Sequence, residues 1–191
     1  METKTNVLLI RHAESAVHLG ADRTRGLTEQ GGEDVLRLTA KLGRLPIDTV
    51  VSSPYTRAVL TVQGIADERN LPVLMMEDLR ERRLHGEDVS LPKATFLEAI
   101  KQSFADPDAV LPGGESFREA QSRGVRALQD MLQRFRGQTI AVGTHGNLMT
   151  MIMQAYDARY DYAFWQRLTM PDVYRLTFDD DKFLEAGRAW S

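Results

Sequence analysis

Apolar residues fall along this chain in short unbroken runs, separated by longer stretches with helical spacing. Val7-Leu8-Leu9-Ile10 is one such run. Without alternation it suits a strand covered on both faces, as in a parallel sheet. Thr49-Val50-Val51-Ser52 and Thr139-Ile140-Ala141-Val142 read the same way, and residues 72–76 give a shorter strand. Between them, Thr28 followed by Glu29 predicts a capped helix carrying Val35, Leu36, Leu38 and Leu42. Ser53-Pro54 predicts a second helix start, serine as cap and proline at the first helical position, ahead of Ala58, Val62, Ile65 and Ala66. Phe117, Ala120, Leu128, Leu132 and Phe135 mark a long amphipathic helix, and residues 147–156 an apolar one. Residues 173–178 and 182–185 read as a terminal hairpin around Asp179-Asp180-Asp181, an acidic run suited to a solvated turn.

Strands alternating with helices predict an α/β fold, a three-layer sandwich with a mostly parallel central sheet. Residues 77–116 break the rhythm, being richer in charge, proline and glycine around a single helix at 93–104. They are expected to form a small inserted cap within a single domain spanning 1–191.

Composition narrows the chemistry. A net charge of −3 gives no general attraction to nucleic acid or to an anionic membrane, so anion binding has to come from local arginines. The absence of cysteine excludes disulfides, thiol catalysis and Cys-zinc sites, and fits a reducing, cytoplasmic setting. The apolar run at 7–10 is too short for a signal segment, and no stretch is long enough to span a bilayer. His18 and His85 have no metal-ligand spacing, and no His-Glu-x-x-His, nucleotide-type glycine loop or Gly-x-Ser-x-Gly pattern occurs. Met149, Met151 and Met153 are read as core, and Trp165 and Trp190 as packing residues.

The polar residues at the strand ends carry the functional information. Arg11-His12 follows one apolar strand, Ser53 and Arg57 follow another, and Thr144-His145-Gly146 follows a third. Ligands of open α/β sheets bind beyond the carboxyl ends of the strands. Two histidines and two arginines delivered to one edge suit a phosphate group, since guanidinium forks match phosphate oxygens and helix N-termini add N–H donors. A neutral imidazole can attack phosphorus while a second histidine and the arginines hold the charged oxygens. The leaving oxygen needs a proton, for which Glu81 in the charged loop is the candidate. Each residue alone also fits a bland role: a histidine at a strand end, Arg57 as a helix-surface charge, Glu81 in a surface ion-pair cluster with Arg80, Arg82 and Arg83.

Six landmarks in order, from about residue 7 to 150, resemble the histidine phosphatase superfamily, also called the phosphoglycerate mutase-like family. They are Leu9-Ile10-Arg11-His12-Ala13-Glu14-Ser15, Leu27-Thr28-Glu29-Gln30-Gly31, Ser52-Ser53-Pro54-Tyr55-Thr56-Arg57-Ala58, Leu79-Arg80-Glu81, Pro112-Gly113-Gly114-Glu115-Ser116 and Thr144-His145-Gly146-Asn147. The resemblance implies His12 as the phosphorylated nucleophile, with Arg11, Arg57 and His145 forming the phosphate pocket and Glu81 as proton donor. It implies a backbone donor at Gly146, an approach of Ser15 to substrate, and a packing or orienting role for Glu115. It implies no metal and no organic cofactor. The chain departs from the family pattern at Ala13, where glycine is usual, at His18, where many members have asparagine, and at Gly86, one residue further from Glu81 than is common.

The expected activity is a phosphomonoesterase that hydrolyses a small phosphorylated metabolite through a phosphohistidine and releases orthophosphate. The alternatives are a phosphoglycerate mutase, which returns the phosphoryl group to a second hydroxyl, and a non-catalytic relative that binds a phospho-ligand or a protein. Compactness argues against the mutase, and the complete set of Arg11, His12, Arg57, Glu81 and His145 argues against the binder. Selectivity for the metabolite is expected to reside in residues 77–116.

Overall fold

The computed structural model describes residues 4–16, 21–86 and 91–190. His18, one of the departures noted above, lies outside them. Six strands, β1 (Lys4–Arg11), β2 (Thr49–Ser52), β3 (Val73–Met75), β4 (Thr139–Thr144), β5 (Asp172–Asp179) and β6 (Lys182–Arg188), form one sheet in the order β3-β2-β4-β1-β5-β6. β1 to β4 run parallel, and β5 pairs antiparallel with β1. The expected terminal hairpin is therefore part of the central sheet, which is mixed.

The run Val7-Leu8-Leu9-Ile10 is fully buried, and its side chains alternate between two cores. Val7 and Leu9 join Val51, Ile140 and Val142 on one face, under α4 (Phe117–Arg134) and α5 (Gly146–Tyr156). Leu8 and Ile10 join Val50 and Ala141 on the other, under α1 (Glu29–Leu42) and α2 (Thr56–Asp67). This two-sided burial is the three-layer sandwich expected from the unbroken apolar runs. Met149, Met151 and Met153 are fully buried core residues.

Thr28 caps α1 by accepting the Gly31 N–H, and Ser116 with Glu119 forms a reciprocal capping box on α4. The helix expected at Ser53-Pro54 starts later, at Thr56. Ser53 does not cap it, because its hydroxyl pairs with the His145 ring while accepting the Tyr55 N–H. A 3-10 turn at Glu77–Leu79 and helix α3 (Lys93–Ala105) lie in the charged region. A short helix that the spacing does not reveal, α6 (Tyr162–Arg167), is capped by Asp161. No helix among the described residues is long and apolar enough to cross a membrane.

Candidate active site

Register sets the site. Arg11 pairs with Thr144 across β1 and β4, and Ser52 pairs with Gly143 across β2 and β4. The His12 N–H continues the ladder to the Thr144 carbonyl at 3.0 Å, and the Ser53 N–H to the Gly143 carbonyl at 2.9 Å. His12, Ser53 and His145 thus leave three adjacent strands at the same edge.

The His12 ring is held from both nitrogens. Nδ1 lies 2.7 Å from the Ala13 carbonyl, which assigns the ring proton to Nδ1 and leaves the Nε2 lone pair free of hydrogen. Arg57 Nε donates to that Nε2 at 3.2 Å. The His145 ring stands at 5.3 Å from His12, edge to face, and Tyr55 packs 5.0 Å from His145. His145 Nε2 is 2.8 Å from the Ser53 hydroxyl. With Ser53 donating there, the His145 proton sits on Nδ1.

Both rings are neutral. Burial first, then the Arg57 charge, push His12 down to about 3 from an ordinary 6.5. Burial likewise pushes His145 well below its ordinary value, with His12 and Arg57 adding to it. Arg57 itself is buried, stacks 5.0 Å from the Tyr55 ring, and meets the Asp22 carboxylate at 3.2 Å and the Asp22 carbonyl.

Arg11 anchors one arm, donating from Nη1 to the Leu168 carbonyl at 3.0 Å and the Thr169 carbonyl at 3.3 Å. Its guanidinium lies over the start of α5, where a Cβ on Gly146 would come within 2.9 Å of Arg11 Nε. A side chain at 146 would therefore have to displace the Arg11 guanidinium. Glu81 reaches the same helix start: its carboxylate accepts the N–H groups of Asn147 at 3.2 Å, Leu148 at 3.1 Å and Arg82 at 2.8 Å. Burial raises the Glu81 carboxyl above its ordinary range, against the opposing pull of the Arg82 N–H, the Arg57 charge and the two helix N–H groups.

Arg11, His12, Arg57, Glu81, His145 and Gly146 are thus brought together. Ser15 stands apart from these contacts, its hydroxyl donating to the Gly26 carbonyl at 2.8 Å. Arg82 does not face outward as a surface charge: it is buried, bonded to the Glu115 carbonyl and to Ser103 on α3.

Three participants escape a reading of the sequence. Arg25 and Asp22, from the loop before α1, pair at 3.1 Å, and the Arg25 charge depresses His12, Arg57 and His145. Tyr55 walls the site between Arg57 and His145. No hydrophobic period or spacing distinguishes these from ordinary loop residues.

Five buried side-chain polar atoms lack a partner among the described residues, and four belong here: Arg11 Nε, Arg25 Nε, His145 Nδ1 and Asn147 Oδ1. Buried polar groups are normally paired, so orphans gathered at one place mark a binding site. Three of the four are donors, which suits an anion. No group of three or more His, Cys, Asp or Glu residues that could hold a metal exists among the described residues.

Known proteins resemble this chain in sequence and in fold. The family model of the histidine phosphatase superfamily, branch 1, matches residues 7–188. A metal-independent phosphoserine phosphatase of Arabidopsis thaliana is 30% identical over 161 residues, covering 78% of this chain and 67% of that protein. A 2,3-bisphosphoglycerate-dependent phosphoglycerate mutase of Brucella anthropi is 26% identical over 193 residues, covering 91% of this chain and 93% of that one. Among solved structures, a mycobacterial glucosyl-3-phosphoglycerate phosphatase superposes with a TM-score of 0.76 over 97% of both chains at 19% identity, a likeness of fold.

Proposed function

The chain belongs to the histidine phosphatase superfamily, branch 1, and on that premise we infer that it is a phosphoric monoester hydrolase of a small phosphorylated metabolite, working through a phosphohistidine at His12. The observation that carries the reading is the His12 ring itself: neutral, locked by Ala13 into the tautomer with an unprotonated Nε2, and close to orphaned donors.

In the first step His12 Nε2 attacks phosphorus and the P–O ester bond breaks. Arg57, on leaving Nε2, shares the phosphoryl oxygens with Arg11, Arg25 and the His145 Nδ1–H. Protonated Glu81 gives its proton to the departing oxygen, for which its raised pKa suits it. In the second step the Glu81 carboxylate takes a proton from water as the water oxygen attacks phosphorus; the P–Nε2 bond breaks, its electron pair returns to His12, and orthophosphate leaves.

Residues 77–116 serve as the specificity element of a single domain. The two ends of that segment are joined to each other by Glu115 N–H to the Arg83 carbonyl at 2.7 Å and by Gly86 N–H to the Pro112 carbonyl at 3.0 Å. Gly113 adopts φ +73°, and a Cβ on Gly114 would come within 2.4 Å of the Leu84 carbonyl, which accounts for the Pro-Gly-Gly landmark. The cysteine-free composition suits work in the cytoplasm.

The test is trapping with a labelled phosphomonoester. Wild type should carry acid-labile, base-stable label and His12→Ala none, with turnover abolished and fold retained. Normal turnover in His12→Ala would refute the covalent route. Label passed from 3-phosphoglycerate to a second hydroxyl, in place of water, would make the protein a mutase, and tight phosphate binding without turnover would make it a binder.

A further inference from the structure

We infer that Arg123 of α4 and Glu115 act together as a positioning clamp that fixes where the Glu81 carboxyl stands relative to the bound phosphoryl group. The inference rests on Glu81 being the proton donor.

Arg123 lies on the long helix, about forty residues from the loop it holds, and its side chain is only 4% exposed. All five guanidinium N–H donors are used. Nε and Nη2 grip the Glu115 carboxylate at 2.6 and 2.8 Å. Nη1 donates to the carbonyls of Asp78 at 2.7 Å and Arg80 at 2.9 Å, and Nη2 to the carbonyl of Glu81 at 3.3 Å. Three of the four carbonyls at 78–81 are thus pinned by one side chain. The far side of Glu81 is tied to the same unit, since Arg82 Nε donates to the Glu115 carbonyl at 2.8 Å.

A buried ion pair is weak grounds for stability, because an apolar replacement of similar volume often folds as well. Burial works against the Glu115 charge, yet the Arg123 bonds win and hold its carboxyl below the ordinary range. What a rigid planar fork with five bonds does supply is fixed geometry. A general acid needs that, since it must lie within hydrogen-bond reach of the oxygen it protonates, and a misplacement of about 1 Å can cost on the order of 10²-fold. The strand-edge pocket of His12, Arg57 and His145 makes no hydrogen bond to Arg123 or to the Glu115 carboxylate. The clamp should therefore affect proton donation far more than phosphoryl capture.

The experiment compares kcat/KM for p-nitrophenyl phosphate, whose leaving group needs little protonation, with glycerol phosphate, whose alkoxide needs much. Glu81→Gln, Glu115→Gln and Arg123→Lys are measured beside wild type. Glu81→Gln should lower the glycerol phosphate value by about 10²-fold or more and the aryl value far less. Glu115→Gln and Arg123→Lys should each reproduce that selectivity at about 10-fold, and weaken the basic limb of the alkyl pH profile. Selective loss in Glu81→Gln with equal or no loss in the other two overturns the clamp and leaves the acid reading intact. Equal loss on both substrates in Glu81→Gln removes the acid reading and the clamp with it. Should Arg123→Lys fail to fold, Glu115→Gln decides, because its amide oxygen still accepts from Arg123 and the aryl activity of the same preparation reports on the pocket.

Discussion

His12, Ser53 and His145 stand at the ends of three adjacent strands, and the backbone ladder alone fixes their spacing. Glu81 has no such support. It follows a 3-10 turn and is held by Arg123 from α4, by its neighbour Arg82 through Glu115, and by the backbone N–H groups that open α5. The side proposed to hold the phosphoryl group is built by secondary structure, whereas the carbonyls of the loop that carries the proposed proton donor are held by long-range bonds. The two sides therefore differ in what breaks them. Chemistry at the strand edge is sensitive to the residue itself, and chemistry at the loop is also sensitive to residues that never meet the substrate.

The sharpest separation should come from Arg57→Ala and His145→Ala. In the proposed mechanism both groups act on charge spread over the phosphoryl oxygens, a demand common to every phosphomonoester. Each substitution should lower kcat/KM by on the order of 10²-fold or more, and by a similar factor on aryl and alkyl phosphates. Vanadate, a trigonal-bipyramidal mimic, should bind more weakly to both. A loss confined to alkyl substrates would erase the proposed division between the two sides.

Titration offers a second contrast, with opposite signs. Above an ordinary 6.5 His12 is neutral whether folded or not; below it the unfolded chain takes up a proton that the folded ring refuses until about pH 3. Stability should therefore fall as pH drops through that window, by on the order of a few kcal/mol, and the fall should be smaller in His12→Gln, which keeps the part that the buried His145 contributes. Glu81 runs the other way. Its folded pKa is raised above 4.5, so as pH rises past 4.5 the unfolded carboxyl ionises first and stability declines until the folded one follows. Melting temperatures of wild type, His12→Gln and Glu81→Gln between pH 3 and pH 8 check both signs. A wild-type minus His12→Gln difference that does not shrink on acidification would mean that His12 is not held neutral by burial.

The same division explains what can be read in the chain itself. Strand-borne residues are legible because an apolar run shows where a strand ends, and a parallel sheet makes its ends coincide. Arg11, His12, Arg57 and His145 are found in this way. The start of α2 is not legible, because Ser53 looks like a cap and is taken by His145 instead, a contact across 92 positions. Glu81 is reached only through the resemblance and its charged surroundings. Arg82 looks like a surface charge because its partners, Ser103 and the Glu115 carbonyl, are distant in sequence. Arg123 looks like any polar position of an amphipathic helix. Nothing local in a sequence tells a saturated buried guanidinium from a solvated one.

Asp22 should make the smallest contribution to the contrast, because it belongs to a loop yet touches the strand-edge pocket. Its carboxylate lies 3.2 Å from Arg57 Nη2 and 3.1 Å from Arg25 Nη2, so an anion already sits on two guanidinium groups that a phosphate would use. The side chain is 58% exposed, and solvent screens much of that attraction. Asp22→Asn removes the charge and keeps the backbone carbonyl to which Arg57 Nη1 donates. Orthophosphate should then inhibit about 2- to 5-fold more tightly, KM should fall by a similar factor with kcat nearly unchanged, and the difference should shrink as salt is raised. Weaker phosphate binding in Asp22→Asn would point the other way: the carboxylate would be aiming Arg57 rather than competing with substrate, and the strand-edge side would depend on a loop contact as the proton-donating side does.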